Sequence, residues 1–202
     1  AITARFGRVD LLVNNAGIIQ VGPVQNMTVD DFQEAMNVMF WGTVFPTLAV
    51  LPQMRDRRSG RIVNVTSIGG KISVPHLLPY SCAKFAATAF SEGLSAELSR
   101  DGIIVTTIAP GLMRTGSFLQ AFAKGNQEAE FAWFALSDNL PLISMDAERA
   151  ARQIVQSARR GDRERVLTVP ADLAARFHGL FPGVTTGLLS VVNRLLPGPT
   201  DD

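Results

Sequence analysis

An α/β domain built on a doubly wound parallel sheet, followed by a helical tail, is the architecture that the 202-residue sequence predicts. Three observations carry that expectation. Residues 9–14 form a nearly all-apolar run, the pattern of a strand buried on both faces, and residues 60–66 and 103–109 are short runs rich in β-branched residues. Stretches with helical periodicity separate them, as the crossovers between parallel strands require. Each run ends in a turn or a polar residue, namely Asn14-Asn15-Ala16-Gly17, Ser67 and Pro110-Gly111, at the carboxyl edge where open sheets of this kind receive ligands.

In chain order, residues 1–6 read as the last turns of a helix stopped by Gly7. Strand 9–14 follows and needs a neighbour on each side. Thr28-Val29-Asp30-Asp31 has the form of a capping box and opens a helix over 29–57, with apolar positions at Phe32, Met36, Met39, Phe40, Val44, Leu48 and Leu51. Pro46 and Pro52 are expected to bend it. A strand over 60–66 leads to Ser67, a loop containing His76, and a helix over 79–100 that stops at Asp101-Gly102. After strand 103–109, residues 112–145 break into short pieces rich in large apolar side chains, among them Phe122, Phe131, Trp133 and Phe134. A helix over 144–160, a last strand over 165–169 and two helical pieces, 172–178 and 184–196, complete the chain. The last of these has so little polar face that it is expected to pack on a core or a partner.

Composition narrows the function classes. A net charge of +1 without a Lys/Arg run lacks the electrostatic footprint of a nucleic-acid binder. The single cysteine, Cys82, cannot form an internal disulfide, which fits a cytoplasmic protein, and is expected to be a small buried residue. No membrane span is expected, because the apolar region 173–196 is interrupted by Arg176, His178, Pro182, Gly183, Gly187 and Arg194. No metal-ligand set is assigned.

Chemistry concentrates between Ser67 and Lys84. Tyr80 and Lys84 stand four residues apart, so on a helix they share a face. A free phenol has a pKa of about 10 and exchanges protons poorly near neutrality. A neighbouring ammonium favours the phenolate and fits the phenol for general acid-base work on an alcohol or ketone. Ser67, at the end of its strand, is placed to hold the same substrate oxygen. Taken singly, Ser67 is as readily a turn cap, Tyr80 a packing aromatic, Lys84 a solvated charge and His76 an ordinary loop residue.

Asn14-Asn15-Ala16-Gly17, Ser67, Tyr80-Ser81-Cys82-Ala83-Lys84 and Pro110-Gly111 through Thr115 stand in the order found in the short-chain dehydrogenase/reductase family, and the chain resembles that family from about residue 1 to 170. The resemblance implies a Rossmann-like fold and hydride transfer between NAD or NADP and the carbinol carbon of an alcohol or ketone. It further implies catalysis by Ser67, Tyr80 and Lys84, with Asn15, Ala16, Gly17, Tyr80, Lys84, Pro110, Gly111 and Thr115 at the cofactor. Residues 112–145 correspond to the substrate lid, and residues 171–202 to a helical extension packed on the same domain. The large apolar residues of 112–145 read equally as ordinary packing or, as a lid, as the lining for a bulky apolar substrate. Members commonly form homodimers or homotetramers through the helices expected here at 29–57 and 79–100.

Two departures stand out. No Gly-Xaa-Gly-Xaa-Xaa-Gly occurs, so the glycine-rich turn and the residue that distinguishes NAD from NADP are expected upstream of Ala1. The family's relay asparagine aligns with Met39, a thioether that donates no hydrogen bond; Asn37 lies two residues away and cannot take its place without a local distortion of the helix. An alternative reading is a non-catalytic, oligomer-forming core that keeps the triad as a relic. The extended epimerase/dehydratase branch also uses Tyr and Lys at this spacing, but Asn14-Asn15-Ala16-Gly17 argues against it.

Overall fold

The computed structural model describes residues 2–138 and 144–200. In chain order the elements are α1 (Ile2–Phe6), β1 (Leu11–Asn14), β2 (Gln20–Val21), α2 (Val29–Ala35), a π-helical segment (Met36–Trp41), α3 (Gly42–Asp56), β3 (Gly60–Val65), α4 (Leu78–Glu97) and β4 (Ile103–Ala109). There follow β5 (Met113–Arg114), β6 (Phe122–Ala123), α5 (Gln127–Asp138), β7 (Met145–Asp146), α6 (Ala147–Arg160), β8 (Glu164–Val166), α7 (Val169–Leu180) and α8 (Pro182–Asn193).

The central sheet is parallel in the order β1-β3-β4-β8. Successive side chains of a strand point to opposite faces, and here each face finds its own cover. Ile62, Ile103 and Val105 pack with Met54, Leu94 and Leu98 of the α3 and α4 side. Val63 and Ile108 pack with Ala150, Ala158 and Leu167 on the α6 side. β1 is the edge, paired only with β3 among the described residues, and Leu11 and Val13 are nearly half exposed there.

A polar ladder crosses this apolar sheet. Asn14, Asn64 and Thr107 are in register on three adjacent strands. Asn14 Nδ2 donates to Asn64 Oδ1 at 2.8 Å and to Thr47 Oγ1 at 3.0 Å. Asn64 Nδ2 donates to Ser91 Oγ at 2.9 Å, which meets Thr107 Oγ1 at 2.7 Å. Fully satisfied, such a network holds strand register; broken, it leaves buried amides without partners. Asn64→Ala is therefore expected to cost about 2–4 kcal/mol in chemical denaturation. A loss below roughly 0.5 kcal/mol would show the ladder to be energetically idle.

Several expectations are corrected. The helix expected at 29–57 does open on the Thr28 capping box, with Thr28 N–H donating to Asp31 Oδ2 at 2.7 Å. Its irregularity, however, lies in the π turn upstream of both prolines, and α3 continues through Pro46 and Pro52. The span Val29–Asp56 is long and apolar enough to cross a membrane by length and composition, which the sequence reading passed over, although its inner side packs on the sheet. The last strand ends at Val166, because Thr168 caps α7 instead by accepting the Ala171 N–H. On α8, Val184, Leu188, Val191 and Val192 are about half exposed, so these four are not buried in the core of this chain. Cys82 is exposed, not buried.

Candidate active site

β3 and α4 deliver the central groups. Ser67 follows the carboxyl end of β3, Lys84 lies on the first turns of α4, and Tyr80 is at its start, behind Pro79. Ser67 and Lys84 are buried and Tyr80 is half-buried. Ser67 Oγ accepts the Gly69 N–H at 2.9 Å and so caps the short turn Ile68–Gly70. That turn sets Gly69 directly under the phenol. A Cβ placed on Gly69 would lie 2.9 Å from Tyr80 Cε1 and 3.4 Å from Ser67 Oγ, so hydroxyl and ring edge converge over a backbone that has room for hydrogen alone.

Lys84 Nζ lies 5.8 Å from the Tyr80 ring centroid and donates to Val65 O at 3.0 Å. Burial pushes the Lys84 ammonium down to about 8. An ammonium has three donors, and the bond to Val65 O is the one Lys84 Nζ makes among the described residues. The remaining donors lie beside the exposed segment Asn15-Ala16-Gly17: a Cβ on Gly17 would stand 3.7 Å from Lys84 Nζ. An amine with spare donors, next to open backbone at a strand's carboxyl end, fits the vicinal hydroxyls of a ribose.

Met39 and Asn37 lie as expected around this group, and Pro110, Gly111 and Thr115 lie farther from it. Met39 is buried against Ala35 and Ala83, and its Sδ would lie 3.6 Å from a Cβ on Gly17, so the thioether does hold the inner position beside Lys84. The π turn does not bring Asn37 inward; Asn37 is exposed. Pro110 is buried and its carbonyl accepts the Ile68 N–H at 2.7 Å, tying the end of β4 to the Ser67 turn. Gly111 has a packing reason to be glycine, since a Cβ would come 2.5 Å from Thr168 Oγ1 and 2.9 Å from Ala171 Cβ. Thr115 is exposed, its hydroxyl accepting the Ser117 N–H. No contact joins Thr115 to the Ser67, Tyr80 and Lys84 group among the described residues.

The region expected to be a lid is fastened by two small parallel pairings, β2 with β6 and β5 with β7; residues 139–143 lie outside the described residues. One cluster within it was not anticipated. Glu130 of α5, with its side chain wholly buried, accepts from Trp133 Nε1 at 2.6 Å and meets His76 Nδ1 at 2.8 Å. His76 thus ties the loop before Tyr80 to α5, holding a left-handed backbone at φ 64°. Nothing in the sequence pairs a loop histidine with a glutamate 54 residues later.

The fold is that of a dinucleotide-type α/β domain, with a strand-end serine and a helical Tyr-Lys pair grouped at the carboxyl edge of its sheet. Residues 1–125 match the model of the short chain dehydrogenase family, and the chain belongs to the short-chain dehydrogenase/reductase family. It is 36% identical over 185 residues to the putative oxidoreductase SadH of Mycobacterium tuberculosis, covering 89% of this chain and 66% of that protein. It is 34% identical over 181 residues to dehydrogenase/reductase SDR family member 7B of Mus musculus, covering 89% of this chain and 54% of that protein. A short-chain dehydrogenase from Streptomyces avermitilis superposes with a TM-score of 0.78 at 30% identity, covering 98% of this chain and 74% of that one. A gluconate 5-dehydrogenase from Burkholderia cenocepacia, solved with NADP and tartrate, superposes at 0.67 with 26% identity, covering 83% and 66%. The chain spans about half the length of the first curated relatives it matches.

Proposed function

We propose that this chain carries the catalytic groups of a nicotinamide-dependent oxidoreductase acting on an apolar alcohol or ketone. The observation that carries the reading is the convergence of Ser67 Oγ and the Tyr80 ring over Gly69, with the Lys84 ammonium on the same helical face. Ser67 holds the substrate oxygen, and Tyr80 gives it a proton on reduction or takes one on oxidation. Lys84 favours the phenolate and binds the ribose hydroxyls. The nicotinamide, when bound, supplies or accepts the hydride. Asn15, Ala16 and Gly17 offer open backbone to its ribose end, with Pro110, Gly111 and Thr115 toward the ring. Relatives solved with NADP support the cofactor class without choosing between NAD and NADP.

Large side chains left exposed in the lid region, Leu119, Phe122 and Leu136 among them, support a bulky apolar substrate. Turnover of a panel of apolar alcohols and ketones with each nicotinamide tests this. Activity confined to small polar polyols would remove the substrate assignment. A second reading, a non-catalytic core that assembles into oligomers, draws on the open β1 edge, whose unpaired backbone groups could take a further strand. Cofactor titration of the protein separates the two readings, because the second requires no binding.

The glycine beneath the phenol provides a direct check. Gly69→Ala is expected to push the Tyr80 ring edge aside and lower kcat about tenfold to a hundredfold, since a misplacement on the order of 1 Å costs that much. The melting temperature should move by a few degrees only. Unchanged kcat would mean that the ring position over Gly69 is irrelevant to turnover.

A further inference from the structure

A cavity of about 650 Å³ opens between the loop before α4, the outer face of α4 and the C-terminal arm. It does not lie on the helix face that carries Tyr80. At 100° per residue, Leu78 and Phe85, which line it, point about 140–160° away from Tyr80. The outer wall is α8 and the chain after it, and this arm is clipped back onto the body of the domain. Asn26 Nδ2 donates to Thr200 O at 2.9 Å, and Thr200 N–H returns to Asn26 Oδ1 at 3.1 Å.

The lining reads as a ligand site. Leu78, Phe85 and Leu189 supply apolar surface, and none of the lining residues is acidic. Arg194 is the one formal charge among them and has no ion pair among the described residues. His76, 6% exposed, also lines the cavity, and Glu130 engages only its Nδ1. Its Nε2 therefore has no hydrogen-bond partner among the described residues, although the ring is fixed in place from behind. His178 of α7, another lining residue, has a buried Nδ1 without a partner, whereas His76 Nε2 is not itself among the buried unpaired atoms. Buried polar atoms are normally paired, and this volume lies within the range of small-molecule sites.

We infer that this cavity binds an amphipathic monocarboxylate. Its carboxylate pairs with Arg194, its hydrocarbon body lies against Leu78, Phe85 and Leu189, and His76 Nε2 hydrogen-bonds a ligand oxygen. The site is independent of the oxidoreductase reading and survives if that reading fails.

The test uses Trp133, whose ring lies 6.2 Å from that of His76. The chain has two tryptophans, so Trp41→Phe leaves Trp133 as the only reporter. Dodecanoate, titrated below its micelle concentration, is expected to shift Trp133 emission saturably. Dodecanol should bind about tenfold more weakly, as should dodecanoate to Arg194→Ala, with Arg194→Lys between the two. Tyr80→Phe should leave dodecanoate affinity unchanged. Absence of a saturable shift, equal affinity for dodecanol, or indifference to Arg194→Ala would overturn the inference. So would a loss in Tyr80→Phe matching that in Arg194→Ala, because the ligand would then sit in the catalytic cleft.

Discussion

Tyr80→Phe is expected to lower kcat by about three orders of magnitude, the range that a positioned general acid-base contributes, while leaving nicotinamide affinity within a few-fold. The substitution removes one oxygen and keeps the ring that packs over Gly69. The ring packing is kept, so the loss should appear chiefly in turnover. Steady-state kinetics on an apolar alcohol, with cofactor affinity measured separately, gives the result. If the variant retains more than about a tenth of the turnover, proton transfer belongs to another group. The triad assignment then falls even though the fold and family stand.

Lys84→Met is expected to abolish turnover and, at the same time, to stabilise the protein at neutral pH. Burial holds the folded-state ammonium at about 8 against 10.5 for the free side chain. Below pH 8 the proton is bound in both the folded and the unfolded chain, and the cost of burying the charge is present in full. Between pH 8 and 10.5 the unfolded chain binds more protons than the folded one, so wild-type stability rises with pH through that window. The difference of 2.5 pH units corresponds to roughly 3 kcal/mol. Methionine fills similar volume without a charge; it gives up the bond to Val65 O and the approach of the ammonium to the Tyr80 ring. Urea denaturation of both proteins should show the variant ahead by a few kcal/mol at pH 7, with the gap closing toward pH 10.5. A wild type that is the more stable at pH 7 would mean that the ammonium is compensated by something other than Val65.

Much of this molecule was legible because its determinants are local. Short β-branched runs placed β3 and β4 to within a residue or so, even though each strand carries polar members of the buried ladder. The Thr28 capping box marked the start of α2, because side-chain and backbone partners there are three residues apart. The spacing of Tyr80 and Lys84 placed both on one helical face for the same reason. Expectations failed where the deciding contact is distant. The π turn at Met36–Trp41 has no composition of its own and was not foreseen; Pro46 and Pro52 lie further on, inside α3. That Gly111 packs against Thr168 and Ala171 was likewise not legible, since those residues lie more than fifty positions on. Cys82 looked like a buried residue, but its face of α4 is turned outward.

By itself the sequence determined the strands of the central sheet, the helical crossovers between them and the placing of Tyr80 and Lys84 on one helical face, since hydrophobic period, capping and helical spacing act over a few residues. Only the tertiary structure decided that Tyr80 and Ser67 share the space above one glycine, that Lys84 is desolvated, that His76 is anchored by Glu130, and that the C-terminal arm encloses a cavity. Each of these depends on segments tens of residues apart being brought into contact. Burial and contact are properties of the packed chain, and local sequence carries no record of which distant side chain will fill the space beside a given atom.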